Sequence, residues 1–463
     1  MTANEPVVTH APGKPKLLLG AYDLAALGYT DDEFFVSGSA SAYAPLGDLG
    51  SDGHWAATPS GSADYTIRIV VLKPADASSF NGTVIVEWLN VSGGIDAPAV
   101  WMMGHREILR RGYGYVAVSA QQVGIEGGAS LGMDLSLKKQ DPERYWHLNH
   151  PQDAYSYDIF TQAGRLVRER FDVMGLSRPE HVVAVGESQS AMFLTTYVNA
   201  VDPLVGVYDG FLIHSRFGPA ASLDGQSIFA PPEDSTPQAV RFRTDLRVPL
   251  FTVLTETDVV GGVRPGYHLA RQSDTELLRA WEVPGTAHAD NYTIKVSHID
   301  DGLRPLADLV AGYAPTDSLM GQSLPHFINF APQHHYVLQA AIAALHNWIR
   351  SGTPPAVAAP IELDGGLPAL DGNGLARGGV RTPWVDVPVA RTSGVGSGET
   401  PLSHLFGSGE PFDAATVARL YPGGAPEYLQ RFTAALDAAI RTGFLLAADR
   451  DEILALAAAT YLN

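Results

Sequence analysis

Ser188, Asp258 and His288, far apart in the chain, are of the types that perform acyl transfer when they meet. A hydroxyl attacks a carbonyl, an imidazole takes its proton, and a carboxylate holds the imidazole in the right tautomer and stabilises the imidazolium. Ser188 stands in His181-Val182-Val183-Ala184-Val185-Gly186-Glu187-Ser188-Gln189-Ser190-Ala191-Met192-Phe193, which reads as strand, sharp turn and helix. In such an elbow, small residues two before and two after the serine let strand and helix approach without clash. Gly186 and Ser190 fill those places; the usual pattern has Gly in the second, and Ser is still small enough. An elbow of this kind puts the N–H of Gln189 and the positive end of the helix where an oxyanion would form. A second donor is expected from the loop Asn90-Val91-Ser92-Gly93-Gly94, with Asn90, Val91 and Ser92 as candidates. The bland alternative is an ordinary N-cap serine, and the order of the partners further along the chain weighs against it.

After the elbow, the apolar run Val248-Pro249-Leu250-Phe251-Thr252-Val253-Leu254-Thr255 leads directly into Glu256-Thr257-Asp258, so two carboxylates compete for the acid's role. Asp258 is preferred, because a turn after the strand would aim it back over the sheet's end. Glu256 stays as the alternative, and the loser is expected either to hydrogen-bond the loop or to support the reacting residues from behind. The next strand ends in Pro284-Gly285-Thr286-Ala287-His288, a Gly turn that can send the imidazole sideways to the elbow. Other histidines have plainer readings. His334-His335 open a helix whose apolar face is core, His147 and His150 have no convincing metal spacing, and His214 with Arg216 follows a strand end where either could line a pocket. The chemistry calls for no metal and no organic cofactor.

The elements needed to position these groups are visible between residues 60 and 290, where short β-branched runs alternate with segments of helical period. That pattern belongs to a mostly parallel sheet covered by helices on both faces. Strands are expected at 65–72, 83–89, 114–119, 181–185, 210–214, 249–255 and 279–283, and helices at 97–111, 153–171, 190–201 and 274–278. A Gly/Pro/Ser/Asp-rich excursion at 217–244 is a lid-like insertion candidate. Helical period resumes at 333–350 and stops at Gly352-Thr353-Pro354-Pro355. The expected organisation is a core at 1–355 followed, at 356–463, by a Gly/Pro-rich arm with extended pieces such as 380–389 and two C-terminal helices divided near Gly443.

The 463 residues, 45% of them hydrophobic, can bury a large core. A formal charge of −19 repels nucleic acid phosphates and anionic membrane surfaces, so neither is an expected partner. Without cysteine there is no disulfide, thiolate metal site or cysteine nucleophile. Residues 1–16 lack the apolar run of a secretory signal, and no stretch of about 18 uncharged apolar residues occurs. A soluble, cytoplasmic protein is expected; its oligomeric state is not indicated.

Beyond the elbow Gly186-Glu187-Ser188-Gln189-Ser190-Ala191, several segments carry a resemblance: Glu87-Trp88-Leu89-Asn90-Val91-Ser92-Gly93-Gly94, Tyr155-Ser156-Tyr157-Asp158-Ile159-Phe160, Thr255-Glu256-Thr257-Asp258, Gly285-Thr286-Ala287-His288-Ala289-Asp290 and Gly378-Gly379-Val380-Arg381-Thr382-Pro383. Together they resemble a bacterial group within the α/β-hydrolase superfamily marked by that elbow, over roughly residues 65 to 390. The resemblance implies the α/β-hydrolase fold and a serine hydrolase with Ser188, Asp258 and His288 in the usual roles; it implies no substrate. The expected activity is cleavage of a small-molecule carboxylic ester through an acyl-enzyme on Ser188. An amidase or peptidase using the same triad, and a catalytically silent binding protein on this fold, are the alternatives.

Overall fold

The computed structural model describes residues 5–228, 239–319, 321–396 and 400–461. The chain folds into two compact units. The first holds Met1–Leu19, Asp23–Leu250 and Ala270–Gln272; the second holds Gly20–Tyr22, Phe251–Leu269 and Ser273–Asn463. The boundary near 355 read from composition lies inside the second unit.

The first unit is built on β1 (Val7–Ala11), β2 (Tyr29–Pro45), β3 (Ala57–Pro74), β4 (Thr83–Trp88), β5 (Gly114–Val118), β6 (His181–Glu187) and β7 (Gly210–His214), hydrogen-bonded in the order β1-β2-β3-β5-β4-β6-β7. The β1/β2, β2/β3 and β3/β5 pairs are antiparallel, whereas β4/β5, β4/β6 and β6/β7 are parallel. The central strands are mostly apolar, with Glu87 of β4 a charged exception, and β4, β5 and β7 are buried along their whole length, as strands covered on both faces must be. Helices α1 (Ala99–Arg110), α2 (Ser156–Glu169) and α3 (Gln189–Thr196) pack on them. On α2 the buried Tyr157, Phe160, Ala163, Gly164 and Val167 recur at helical spacing and form one apolar stripe. Trp88, at the end of β4, packs its indole among Tyr157, Phe160 and Phe193, with centroids 5.8, 4.8 and 5.4 Å away. The α/β class and the parallel centre are those expected from the sequence.

One feature of the first unit was not anticipated. β1 and the long β2 extend the sheet through a run rich in Ser, Gly and Ala, whose weak strand propensity hides it. The 217–244 excursion lies partly outside the described residues, at 229–238; of its flanks, Phe217, Leu223, Val240 and Phe242 are buried.

In the second unit β8 (Leu250–Thr255) and β9 (Leu278–Val283) are neighbours. The short helix α4 (Glu256–Val260) follows β8 directly. Further helices are α5 (Leu306–Tyr313), α6 (Gln333–Ser351), α7 (Gly424–Thr442) and α8 (Arg450–Thr460). As expected, α6 ends at a left-handed Gly352 and α7 at a left-handed Gly443. Phe251 and Trp281 meet edge to face at 4.8 Å, and Trp281 meets Phe444 at 5.1 Å, so the C-terminal helices share this unit's core. The helix expected at 274–278 is absent: Asp274 accepts from Ala280 N and Thr275 from Leu277 N and Leu278 N, and these side-chain bonds hold a turn that competes with a helix. The piece read as extended at 380–389 contains instead a short helix, Pro383–Asp386, with proline at its first position. Among the described residues no helix is long and apolar enough to cross a membrane.

Candidate active site

In the first unit the strand-turn-helix read around Ser188 is present, β6 ending at Glu187 and α3 beginning at Gln189. Ser188 takes φ 55° and ψ −114°, a conformation that costs a non-glycine residue on the order of 1–3 kcal/mol and persists only when its surroundings impose it. Three bonds impose it. Ser188 N–H donates to His214 O at 3.0 Å, and the Ser190 hydroxyl both accepts from Glu187 N (3.0 Å) and donates to Glu187 O (2.8 Å). The serine standing where the usual elbow has glycine therefore brackets the strained turn. Gly186 is needed for closeness: a Cβ there would come within 2.8 Å of the Leu194 side chain and 3.2 Å of the Ser190 backbone.

Asn90, Val91 and Gln189 converge beside this turn. Asn90 Nδ2 donates to Glu187 O (3.1 Å) and to Glu187 Oε2 (3.0 Å), tying the loop after β4 to the elbow. Val91 N–H donates to Gln189 Oε1 over a long 3.4 Å, Ser92 N–H donates to Asn90 Oδ1 at 2.7 Å, and Asn90 N–H donates to Ala97 O at 2.9 Å. Gln189 is anchored in turn: its Nε2 donates to Gln121 Oε1 (2.7 Å), which also accepts from Trp88 Nε1 (3.1 Å), and Gln121 Nε2 donates to Asp153 (3.2 Å). Gln121 and Asp153 carry no motif of their own, and only their position after β5 and before α2 could have drawn attention to them.

Beneath the elbow lies Glu87, fully buried in β4. It accepts from Val100 N and Trp101 N at the start of α1, where the Pro98 N-cap offers no side-chain oxygen, and from the Tyr115 hydroxyl. Burial pushes its carboxyl up to about 8, and the neighbouring Glu187 adds to the rise; the Tyr115, Val100 and Trp101 hydrogen bonds oppose it.

In the second unit Asp258 and His288 are joined: Nδ1 of the imidazole lies 2.6 Å from Asp258 Oδ1. Thr255, the last residue of β8, accepts from Asp258 N while its own N–H donates to Asp258 Oδ2 at 2.7 Å, a reciprocal cap that leaves the other oxygen for the imidazole. His288 N–H donates to Thr257 Oγ1 at 3.2 Å, so α4 holds both backbone and ring of the histidine's loop. Glu256 points elsewhere. Its carboxylate accepts from Gly285 N (2.8 Å), Gly394 N (3.0 Å) and the Ser393 hydroxyl (2.5 Å), and burial raises its carboxyl above the ordinary range. Gly394 fits only because it lacks a Cβ, which would stand 2.3 Å from Thr257 N and 2.6 Å from Thr286 O. Sequence reasoning missed this bridge through residues 393–394, which lie in a Gly-rich stretch with no chemical motif.

The remaining candidates are structural. Arg216 is buried, donates to Phe217 O, Gly218 O and Val240 O, and stacks over Phe242 at 4.7 Å. His335 lies flat on Tyr292 at 3.7 Å, and His334 Nδ1 is 3.4 Å from Asp290. His150 Nε2 donates to Ala120 O at 2.9 Å, and His147 packs on Phe35. Among the described residues no cluster of His, Asp or Glu is arranged to hold a metal ion.

The family model described as "Alpha/beta hydrolase domain" matches residues 3–455, nearly the whole chain, and the chain belongs to that family. Solved structures similar to it include a putative dienelactone hydrolase from Klebsiella pneumoniae subsp. pneumoniae, 12% identical over 58% of this chain and 92% of that one, with a TM-score of 0.32. A thermostable esterase from Pseudomonas putida is 13% identical over 51% of this chain and 66% of that one, TM-score 0.27. A glucuronoyl esterase from Solibacter usitatus is 10% identical over 61% and 82%, TM-score 0.31. Likenesses this small say nothing about a substrate. Comparison with curated proteins gives no match.

Proposed function

We propose that the protein is a serine hydrolase that cleaves a small-molecule carboxylic ester, in the bacterial group whose elbow reads Gly186-Glu187-Ser188-Gln189-Ser190-Ala191. The observation that carries this is Ser188 held at φ 55° between β6 and α3, the strained strand-turn-helix conformation that suits a nucleophilic serine. The Asp258–His288 pair supports it, because a carboxylate on Nδ1 leaves Nε2 as the proton acceptor. In the proposed reaction Ser188 Oγ attacks the ester carbonyl as its proton passes to His288 Nε2. The collapse of the tetrahedral intermediate expels the alcohol, protonated by the same nitrogen, and water then releases the acid by the reverse path.

For the oxyanion we assign the N–H groups of Gln189 and Val91. The first opens α3 and carries the positive end of its dipole. The second is bound to a neutral side-chain oxygen over 3.4 Å, a weak bond that a charged oxyanion would displace. Ser92 N–H is less suited, being committed to Asn90 at 2.7 Å, and Asn90 acts by fastening the loop to Glu187. Glu256 is a positioning residue for the histidine's loop.

Turnover of p-nitrophenyl acetate and butyrate beside the matching p-nitroanilides tests the assignment. Ester turnover with a pre-steady-state burst equal to the enzyme concentration is expected, with anilides slower by at least about a hundredfold. Equal rates on both would make the protein an amidase, and no turnover on any of them would remove the hydrolase assignment.

A further inference from the structure

The second unit contains a cavity of about 220 Å³ that the hydrolase chemistry does not use. It lies among α5, the loop 330–332, the segment 384–392 and the C-terminal helices α7 and α8, and neither Asp258 nor His288 lines it. Its walls are ring faces and edges of Tyr313, Phe330, Trp384, Phe412 and Tyr428, filled in by small aliphatic side chains.

None of its described lining residues is charged. Two of its hydroxyls are already engaged, Tyr313 with His335 Nδ1 at 3.4 Å and Thr460 with Leu456 O at 2.8 Å. Two of the aromatic walls are fixed from other sides. Trp384 stacks parallel to Tyr336 at 5.8 Å and meets Phe432 edge-on at 5.7 Å, and Tyr428 contacts Tyr461 at 4.9 Å and Tyr421 at 5.2 Å. Phe330, Trp384 and Phe412 are half-buried and Ala314, Pro315 and Pro411 exposed, so the space opens to solvent. A preformed, mostly apolar concavity with few polar groups is the usual form of a small-molecule site.

From this cavity we infer a binding site for a neutral aromatic molecule of one or two fused rings. Apolar cavities of ~150 Å³ admit benzene, and this one has room for a second ring but not for a peptide helix. A fatty acid or other anion would bury its carboxylate with no cationic side chain among the described lining residues to receive it. Rings gain offset and edge contacts on aromatic walls that an alkyl chain does not.

Calorimetric titration of the full chain with indole, and with indole-2-carboxylate as the anionic counterpart, tests the inference. Indole is expected to bind one site with a dissociation constant of about 0.1 mM, and the anion at least about tenfold more weakly. Filling the cavity with Ala390→Phe or Ala331→Leu should weaken indole by at least about tenfold while p-nitrophenyl acetate hydrolysis stays within about twofold, so loss of this site and loss of catalysis are separate readouts. Should both variants misfold, photolabelling of the wild type with phenyl trifluoromethyl diazirine keeps the question answerable. Label on peptides covering 310–315, 384–392 or 456–460, competed by indole, supports the site. No indole binding, unchanged binding in folded Ala390→Phe, or label that maps elsewhere overturns it.

Discussion

Two neighbouring carboxylates after one strand, Glu256 and Asp258, show how much of a site depends on where a single side chain turns. Both are fully buried, yet only Asp258 bonds the imidazole, while Glu256 gathers Gly285 N, Gly394 N and Ser393. Asp258→Asn should lower kcat on an ester by on the order of 10³- to 10⁴-fold with little change in KM, because the imidazole loses the partner that sets its tautomer. Glu256→Gln should lower kcat far less and instead cost about 1–3 kcal/mol of stability, since an amide nitrogen would face a backbone N–H donor. Steady-state kinetics and urea unfolding on both variants check this; equal, mild kinetic losses would mean the acid lies elsewhere. The positions of Ser188, Asp258 and His288 after strands were legible in the sequence, because the apolar runs that precede them make the strand ends conspicuous. The sequence preferred Asp258 but kept Glu256 open, because what turns the two side chains apart is the Thr255 cap and a Ser393-Gly394 bridge 137 and 138 residues away from Glu256.

At the scale of elements, the site is held by close approaches that leave no room for a methyl group. Gly394 passes against the backbone of residues 256, 257 and 286, and so lies against both the Asp258 helix and the His288 loop. Gly394→Ala should push the two apart, lowering kcat by at least about tenfold and stability by about 1–3 kcal/mol; wild-type kinetics with an unchanged unfolding midpoint would show that the bridge does not position the pair. At the elbow, Ser190→Ala removes both hydroxyl bonds around Glu187. It is expected to lower kcat for acylation more than it raises KM, and a stability loss with no kinetic change would make Ser190 a packing residue only. The parallel strands β4 to β7 could be read from the sequence because burial on both faces demands largely apolar runs. The antiparallel β1 and β2 could not, since most of β2 is Asp31-Asp32-Glu33 before Phe34-Phe35-Val36 and the run Ser37-Gly38-Ser39-Ala40-Ser41-Ala42 after it, which give little strand signal. Similarly, the expected helix at 274–278 gave way to Asp274 and Thr275 side-chain bonds that only the folded backbone reveals.

For the molecule as a whole, Glu87 links the central sheet to pH. Its folded-state carboxyl titrates near 8, above the ordinary value of 4.5. Between those values the folded chain retains a proton that the unfolded chain has released. Stability from this group is therefore fully present below pH 4.5 and is lost as pH rises toward and through 8. Glu256, raised in the same direction, adds to the same slope. Urea midpoints measured from pH 5 to 9 should fall with pH in the wild type, and Glu87→Gln should flatten that fall; parallel profiles would place the titration elsewhere.

Everything at the three scales turns on one oxygen atom being the nucleophile. Incubation with a fluorophosphonate followed by peptide mass spectrometry should find one phosphonyl adduct, on Ser188, with labelling lost in Ser188→Ala and strongly slowed in His288→Ala while both variants keep the wild-type unfolding midpoint. An adduct on another residue, or a folded Ser188→Ala that still hydrolyses esters at near wild-type rate, would contradict the account.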